Sequence, residues 1–166
     1  MGFTEDLERI ALQERELKLP RLDAQMAWEL GSLLRSMAVE RGLSLVVDVR
    51  RFGQPLFYTA LEGTTPDNVE WVRRKSNVVA RFHRSSYAVG LAAELKGGTI
   101  FERNGLSDVD YATHGGSFPL SVEGTGVIGS VTVSGLPQRA DHNLVVEGLS
   151  KMLGRDYAEL RLGPEA

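Results

Sequence analysis

Between Thr64 and Ser86 the chain reads TTPDNVEWVRRKSNVVARFHRSS. Thr65 can cap a helix, Pro66 suits the first helical position, and Asp67 suits the first turn. Each helical residue turns about 100° around the axis. Trp71, Val78 and Phe82 therefore fall together, with Val72 and Val79 beside them. That arc is the face to be buried. Lys75 sits inside it, one turn after Trp71 and one turn before Val79. Arg73, Arg74, Arg81 and Arg84 gather with Asn77 on a separate arc. The stretch predicts a long helix laid on a core, with one cation drawn into its apolar side.

Working outward, residues 4 to about 17 read as a helix, with Leu7, Ile10 and Ala11 on one face and Pro20 as the stop. A second helix spans about 23–41, spaced by Met26, Leu30, Leu33, Leu34 and Met37 and ended by Gly42. The period then changes. Residues 43–51 and 54–61 read as two strands joined at Gly53, so antiparallel pairing is favoured. After the long helix, Ser85 and Ser86 interrupt the chain, and 87–96 forms another helix stopped by Gly97 and Gly98. Residues 99–112 read as irregular, with Asn104-Gly105 as a turn. Strands follow at 118–122 and 127–133, and Pro137 opens a last helix striped by Val145, Leu149, Met152 and Leu153. Gly129, inside a strand, suggests a bulge or a close approach from a ligand or a neighbouring chain. The order predicts an α+β domain spanning 1–166, with helices covering one or both faces of a small antiparallel sheet.

Composition narrows the classes of function. With 166 residues, 42% hydrophobic and 25% charged, the chain can bury a proper core. Its net charge of -3 gives no general attraction to nucleic acid or to an anionic membrane. It has no cysteine, which excludes disulfides, thiolate catalysis and thiolate metal sites. The first twenty residues are charged and lack an apolar centre, and no apolar run reaches the length of a membrane span. A cytoplasmic protein is expected.

The candidate chemistry is local. Lys75 either snorkels to water along its stem or is held in a pocket to meet an anionic or carbonyl group. The arginines either form a solvated or subunit-facing flank, or offer forks to a carboxylate or phosphate. His114-Gly115-Gly116 is a turn, or a loop whose amides approach a ligand closely. Asp141 and His142 stand together at the start of the last helix. Asp141 there complements the helix dipole with His142 packed at the surface, or the two form an acid–base pair. His83, His114 and His142 lack metal-ligand spacing on any one helix, so no metal site is expected.

These segments together resemble the GlcG/HbpS-like family, often labelled haem-degrading, and more closely the branch of it shared by bacteria and fungi. The matching pieces are Thr64-Thr65-Pro66-Asp67-Asn68 with Trp71, Arg74 and Lys75, then Arg81-Phe82 with Ser85-Ser86. His114-Gly115-Gly116-Ser117-Phe118-Pro119 follows, then Gly129, and last Ser134-Gly135-Leu136-Pro137 with Asp141-His142. The resemblance implies a layered α/β/α domain of profilin-like type, its antiparallel sheet of four to five strands carrying helices on both faces. It also implies dimers that build larger rings. Some relatives bind haem or take part in its breakdown, and others are interaction partners.

Three functions compete. One is an oligomeric module binding a small anionic ligand near Lys75, Arg74, Arg81, His114, Gly115, Gly116, Asp141 and His142. The second is an enzyme of haem or other tetrapyrrole breakdown, and the third an oligomeric interaction module without chemistry. The first expects Lys75 and the His114 loop in one concave site, with Arg74 or Arg81 at its rim. The resemblance and the apolar face of the first helix both lead to a homo-oligomer. Sedimentation at micromolar concentration is expected to show species heavier than the 18.2 kDa chain; a monomer alone would contradict this.

Overall fold

A computed structural model describes residues 2–165. Its elements run α1 (Phe3–Glu16), α2 (Ala24–Glu40), β1 (Val46–Arg51), β2 (Gln54–Ala60), α3 (Pro66–Phe82), α4 (Ser86–Leu95), α5 (Ile100–Asn104), β3 (Ser117–Val122), β4 (Gly126–Ser134), α6 (Gln138–Leu153) and α7 (Tyr157–Leu160). The four strands form one antiparallel sheet in the order β2-β1-β4-β3. Each hairpin supplies two neighbours, and β1 and β4 join the hairpins at the centre. The sheet thus has four strands, at the lower end of the expected range.

The two faces of the sheet differ in chemistry. Side chains alternate along a strand. Val47, Val49, Val131, Val133, Phe118 and Leu120 point one way into the main core against α2 and α6. Asp48, Ser130, Thr132 and Ser117 alternate with them and are buried on the other face, where α3 packs across β4, β3 and β1. This second face is held by polar contacts. Ser117 and Thr132 share a hydrogen bond of 2.9 Å between their hydroxyls. Asp48 accepts two bonds of 2.8 Å from Arg50, two residues along the same strand. The result is a layered α/β/α arrangement with an oily layer on one side of the sheet and a hydroxyl-rich layer on the other.

Gly129 pairs with Leu120 at an irregularity in the β3–β4 ladder, where Ser121 pairs on with Val127. A Cβ there would collide with the Arg50 carbonyl of β1. The close approach foreseen at this glycine is therefore made by the protein's own backbone. Two short helices, α5 and α7, lie where none was expected. The segment 99–112 read as irregular contains α5, started by Thr99, whose hydroxyl accepts the Glu102 N–H at 3.3 Å.

The two ends of the chain meet on the outer side of α6. Arg139 donates to both oxygens of Asp6 at 2.8 and 3.0 Å, to the Tyr87 hydroxyl at 3.2 Å and to the Gly163 carbonyl at 2.7 Å. Gln13 donates to the Leu160 carbonyl at 2.7 Å, and Arg9 bonds the Glu159 carbonyl. These bonds fasten α1 and the C-terminal segment to α6 and to each other. No helix among the described residues is long and apolar enough to cross a membrane.

Removing the cation at the centre of this knot leaves Asp6 buried and unpaired. Arg139→Met is expected to lower unfolding free energy by about 3–5 kcal/mol, and Asp6→Leu added to it to restore much of the loss. Urea unfolding of both variants checks this. Equal instability of the single and double variants would show that the pair is not what Asp6 needs.

Candidate functional site

The N-terminal half of α3, the loop 114–116 and the turn from β4 into α6 enclose a cleft of about 230 Å³. Each wall follows from local sequence. Pro66 begins α3, and the Asn68 side chain accepts the Thr65 N–H at 2.9 Å, which fixes the first turn. Trp71 and Lys75, one turn apart, then face the cleft. Gly116, at φ +134°, brings the loop backbone against α3; a Cβ there would collide with the Lys75 ammonium and the Val133 carbonyl.

Lys75 is 2% exposed. Its ammonium donates to the Val133 carbonyl at 2.7 Å, the Gly115 carbonyl at 3.1 Å and Asp141 Oδ2 at 3.4 Å. An ammonium has three hydrogens, and all three are answered by protein. Asp141 is also held by the turn before α6: its carboxylate accepts the Leu136 N–H at 3.0 Å and the Gly135 N–H at 3.4 Å. The pair therefore ties α3, the loop, β4 and α6 together and forms the floor of the cleft. Burial pushes the Asp141 carboxyl up to about 6, while Lys75 and the two amides pull the other way. Burial also pushes the Lys75 ammonium down, against the pull of Asp141.

The walls carry groups that remain available. The His114 ring stands edge-on to Trp71, with centroids 4.9 Å apart. The Arg74 guanidinium lies 4.7 Å from the centre of the Trp71 ring and spends its Nε on the Asp108 carbonyl at 3.0 Å. Trp71 donates its indole N–H to Asp67 at 3.2 Å. Burial lowers the His114 imidazole below its ordinary value, and Lys75 and Arg74 lower it further. Gln138, in the first turn of α6, accepts the Gly115 N–H at 3.1 Å. Asn68 reaches Ser134 at 3.5 Å.

Of the residues singled out from sequence, Lys75, His114, Gly115 and Asp141 line this cleft. Gly116 packs directly behind Lys75, and Arg74 lies against Trp71. Arg81 is exposed near the far end of α3 and does not line the cleft. His142 does not line it either. One residue along the helix from Asp141, it turns into the core between Tyr87 and Phe118. The Gln13 amide nitrogen is spent on Leu160, so its oxygen faces His142, whose Nε2 donates to it at 2.8 Å. Burial, with Arg139 nearby, pushes this imidazole down to about 3. The Asp141–His142 acid–base pairing is replaced by two separate pairings, and His142 is buried where surface packing was expected. Sequence reasoning missed Asn68, Ser134 and Gln138 as wall residues. The first two lie inside the quoted motifs, while nothing in the spacing marks Gln138. Among the described residues, no group of three or more His, Asp or Glu is placed to hold a metal ion.

The sign of the Asp141 shift sets a pH dependence. A carboxyl raised from 3.8 to about 6 adds most to stability below its unfolded value, and that contribution is lost as pH rises through about 6. Carbon-detected carboxyl NMR is expected to show a midpoint near 6 for Asp141, moving higher in Lys75→Met. Lys75→Met is expected to cost about 3–5 kcal/mol at neutral pH, and less below pH about 6, where Asp141 takes up a proton. A midpoint near 3.8 with no pH-dependent cost would refute both.

Comparison with known proteins gives a consistent picture. Residues 22–150 match the family model described as haem degrading protein HbpS-like. A UPF0303 protein of Paraburkholderia phymatum is 59% identical over 162 residues, covering 98% of both chains. Among solved structures, the Ybr137w protein superposes with a TM-score of 0.83 at 28% identity, over 89% of this chain and 88% of that one. The PduOC:Heme complex superposes at a TM-score of 0.67 with 15% identity, over 78% of this chain and 93% of that one, a likeness of fold alone.

Proposed function

As the chain belongs to the HbpS-like family, we propose that it works as an oligomeric small-ligand-binding module whose ligand is a compact anion seated in the α3–α6 cleft. The observation that carries this reading is the division of charge in the cleft. Its one lining carboxylate, Asp141, is consumed by Lys75 and two amides. His114 stays on the wall, and Arg74 lies over the Trp71 ring beside it with N–H groups to spare. Pro137 precedes α6 and gives it no side-chain cap, so the positive end of a 16-residue helix adjoins the cleft. The one carboxylate that could repel an anion is spent, while N–H donors are left over.

Size favours a small ligand over a whole tetrapyrrole. At about 230 Å³ the cleft lies below the roughly 300–1,000 Å³ of drug-sized sites. The Trp71 face beside His114 and Arg74 suits a flat carboxylate or a phosphate ester. In this reading Lys75 and Asp141 hold the floor, Gly115 and Gly116 let the loop close on it, and His114 and Arg74 meet the ligand. For self-association, support comes from Trp28, 61% exposed and set edge-on to Phe57 at 5.7 Å beside the open edge strand β2. An aromatic pair at an uncovered edge is a surface that a second copy would bury.

Titration of a Trp28→Phe variant with phosphate and small carboxylates, read by Trp71 fluorescence, is the direct test. Saturable quenching is expected, about tenfold weaker in His114→Ala and Arg74→Gln. Affinity is expected to rise only at pH below the ordinary imidazole range, because burial, Lys75 and Arg74 hold His114 neutral until then and its positive charge beside the anion comes late. Haem is expected to bind without a sharp one-to-one endpoint. A sharp endpoint abolished by His114→Ala would replace the small anion with a tetrapyrrole.

A further inference from the structure

A second concavity, of about 210 Å³, opens between the end of α3, α4 and α5, away from Lys75 and His114. Its floor is apolar: Val89, Ala93 and Ile100 are buried there, and Phe82 packs against them. Its rim is cationic. Arg84, Lys96 and Arg103 line it, all exposed, and no Asp or Glu does. The chain as a whole carries 22 acidic residues against 19 basic ones. Three cations without an acid therefore run against its general balance. Among the described residues, none of the three sits within ion-pair distance of a carboxylate. Arg84 acts electrostatically on Glu14, whose carboxylate accepts the Ser85 N–H at 2.7 Å.

One of these cations is already fixed. Arg103 Nη2 donates to the Lys96 carbonyl at 2.6 Å, at the point where α4 gives way to Gly97 and Gly98. A Cβ at Gly98 would sit 3.2 Å from Arg103 Nε and 3.5 Å from Glu102 Oε2, so the glycine leaves both side chains their place; Glu102 lies near the guanidinium but outside ion-pair distance and outside the groove lining. The bond spends one donor and immobilises the side chain, leaving the other donors of the fork unspent. A preset guanidinium loses less freedom on binding than a mobile one. Neighbouring cations repel one another, and an anion between them relieves that repulsion.

We propose that this groove binds an organic anion with an apolar body. The oxyanion head would lie at Arg103 and Lys96, and the hydrocarbon or aryl body on Val89, Ala93 and Ile100. The inference is independent of the α3–α6 cleft and shares no residue with it. A carboxylate head and a phosphate head share the needed chemistry, so the test uses one of each.

The experiment titrates the full chain with hexanoate and with phenyl phosphate, followed by methyl NMR. Saturable shifts are expected at Val89, Ala93 and Ile100, with hexanol, which lacks the charge, at least tenfold weaker. Arg103→Gln and Lys96→Gln should each weaken binding about tenfold, while Arg73→Gln leaves it unchanged. Tighter binding of hexanoate would assign a carboxylate head, and tighter binding of phenyl phosphate a phosphate head. Shifts centred on Trp71 and His114, equal binding of hexanol, or equal binding by the Arg103 and Lys96 variants would each overturn the proposal.

Discussion

The arrangement turns on one buried ammonium. Lys75 lies where an apolar side chain would ordinarily pack. Its charge can stay inside because three acceptors from three segments converge on it: Gly115 from the loop, Val133 from β4 and Asp141 from α6. A buried charge without such partners would cost several kcal/mol. This one constraint sets the height of α3 over the sheet, the path of the glycine loop and the direction in which α6 starts. The cleft exists because those three segments must reach the same nitrogen while Trp71 keeps them apart at the top.

The two faces of the sheet make the same point at larger scale. The α2–α6 side is a continuous apolar layer that tolerates repacking as long as volume is kept. The α3 side is directional, since Asp48, Thr132 and Ser117 are satisfied only by named partners. Ser130 is the exception there, with a buried hydroxyl that has no partner among the described residues. A polar layer fixes relative position more sharply than an oily one. The site takes α3 from the polar side and only the start of α6 from the other.

Much of the architecture was legible because periodicity carries it. The long helix, both hairpins and the last helix follow from spacing alone, and the anomalous lysine announces itself by standing in an apolar arc. What stayed hidden depends on contacts distant in sequence or on elements too short for a period. α5 has five residues and α7 has four, which is little more than one turn each. The neighbours Asp141 and His142 read as a pair, yet successive helical residues point about 100° apart. One reaches Lys75, 66 positions earlier, and the other reaches Gln13, 129 positions earlier. No local pattern encodes such partners. The arginine cluster divides for the same reason: Arg73 turns to Asp110 and Arg74 to Trp71, while Arg81 lies two turns further along.

The knot around Arg139 has a bearing on how this architecture varies between relatives. The stretch shared with the family model is 22–150, and α1 and α7 both fall outside it. These two segments sit at opposite ends of the chain, yet Gln13 and Arg9 of α1 are answered by backbone of the C-terminal one, and Asp6 shares Arg139 of α6 with the Gly163 carbonyl. They are a single structural part written in two places. A lineage that lost either piece alone would inherit stranded buried polar groups in the other. Gain and loss of the two should therefore be correlated, an evolutionary linkage between segments that no stretch of contiguous sequence would reveal.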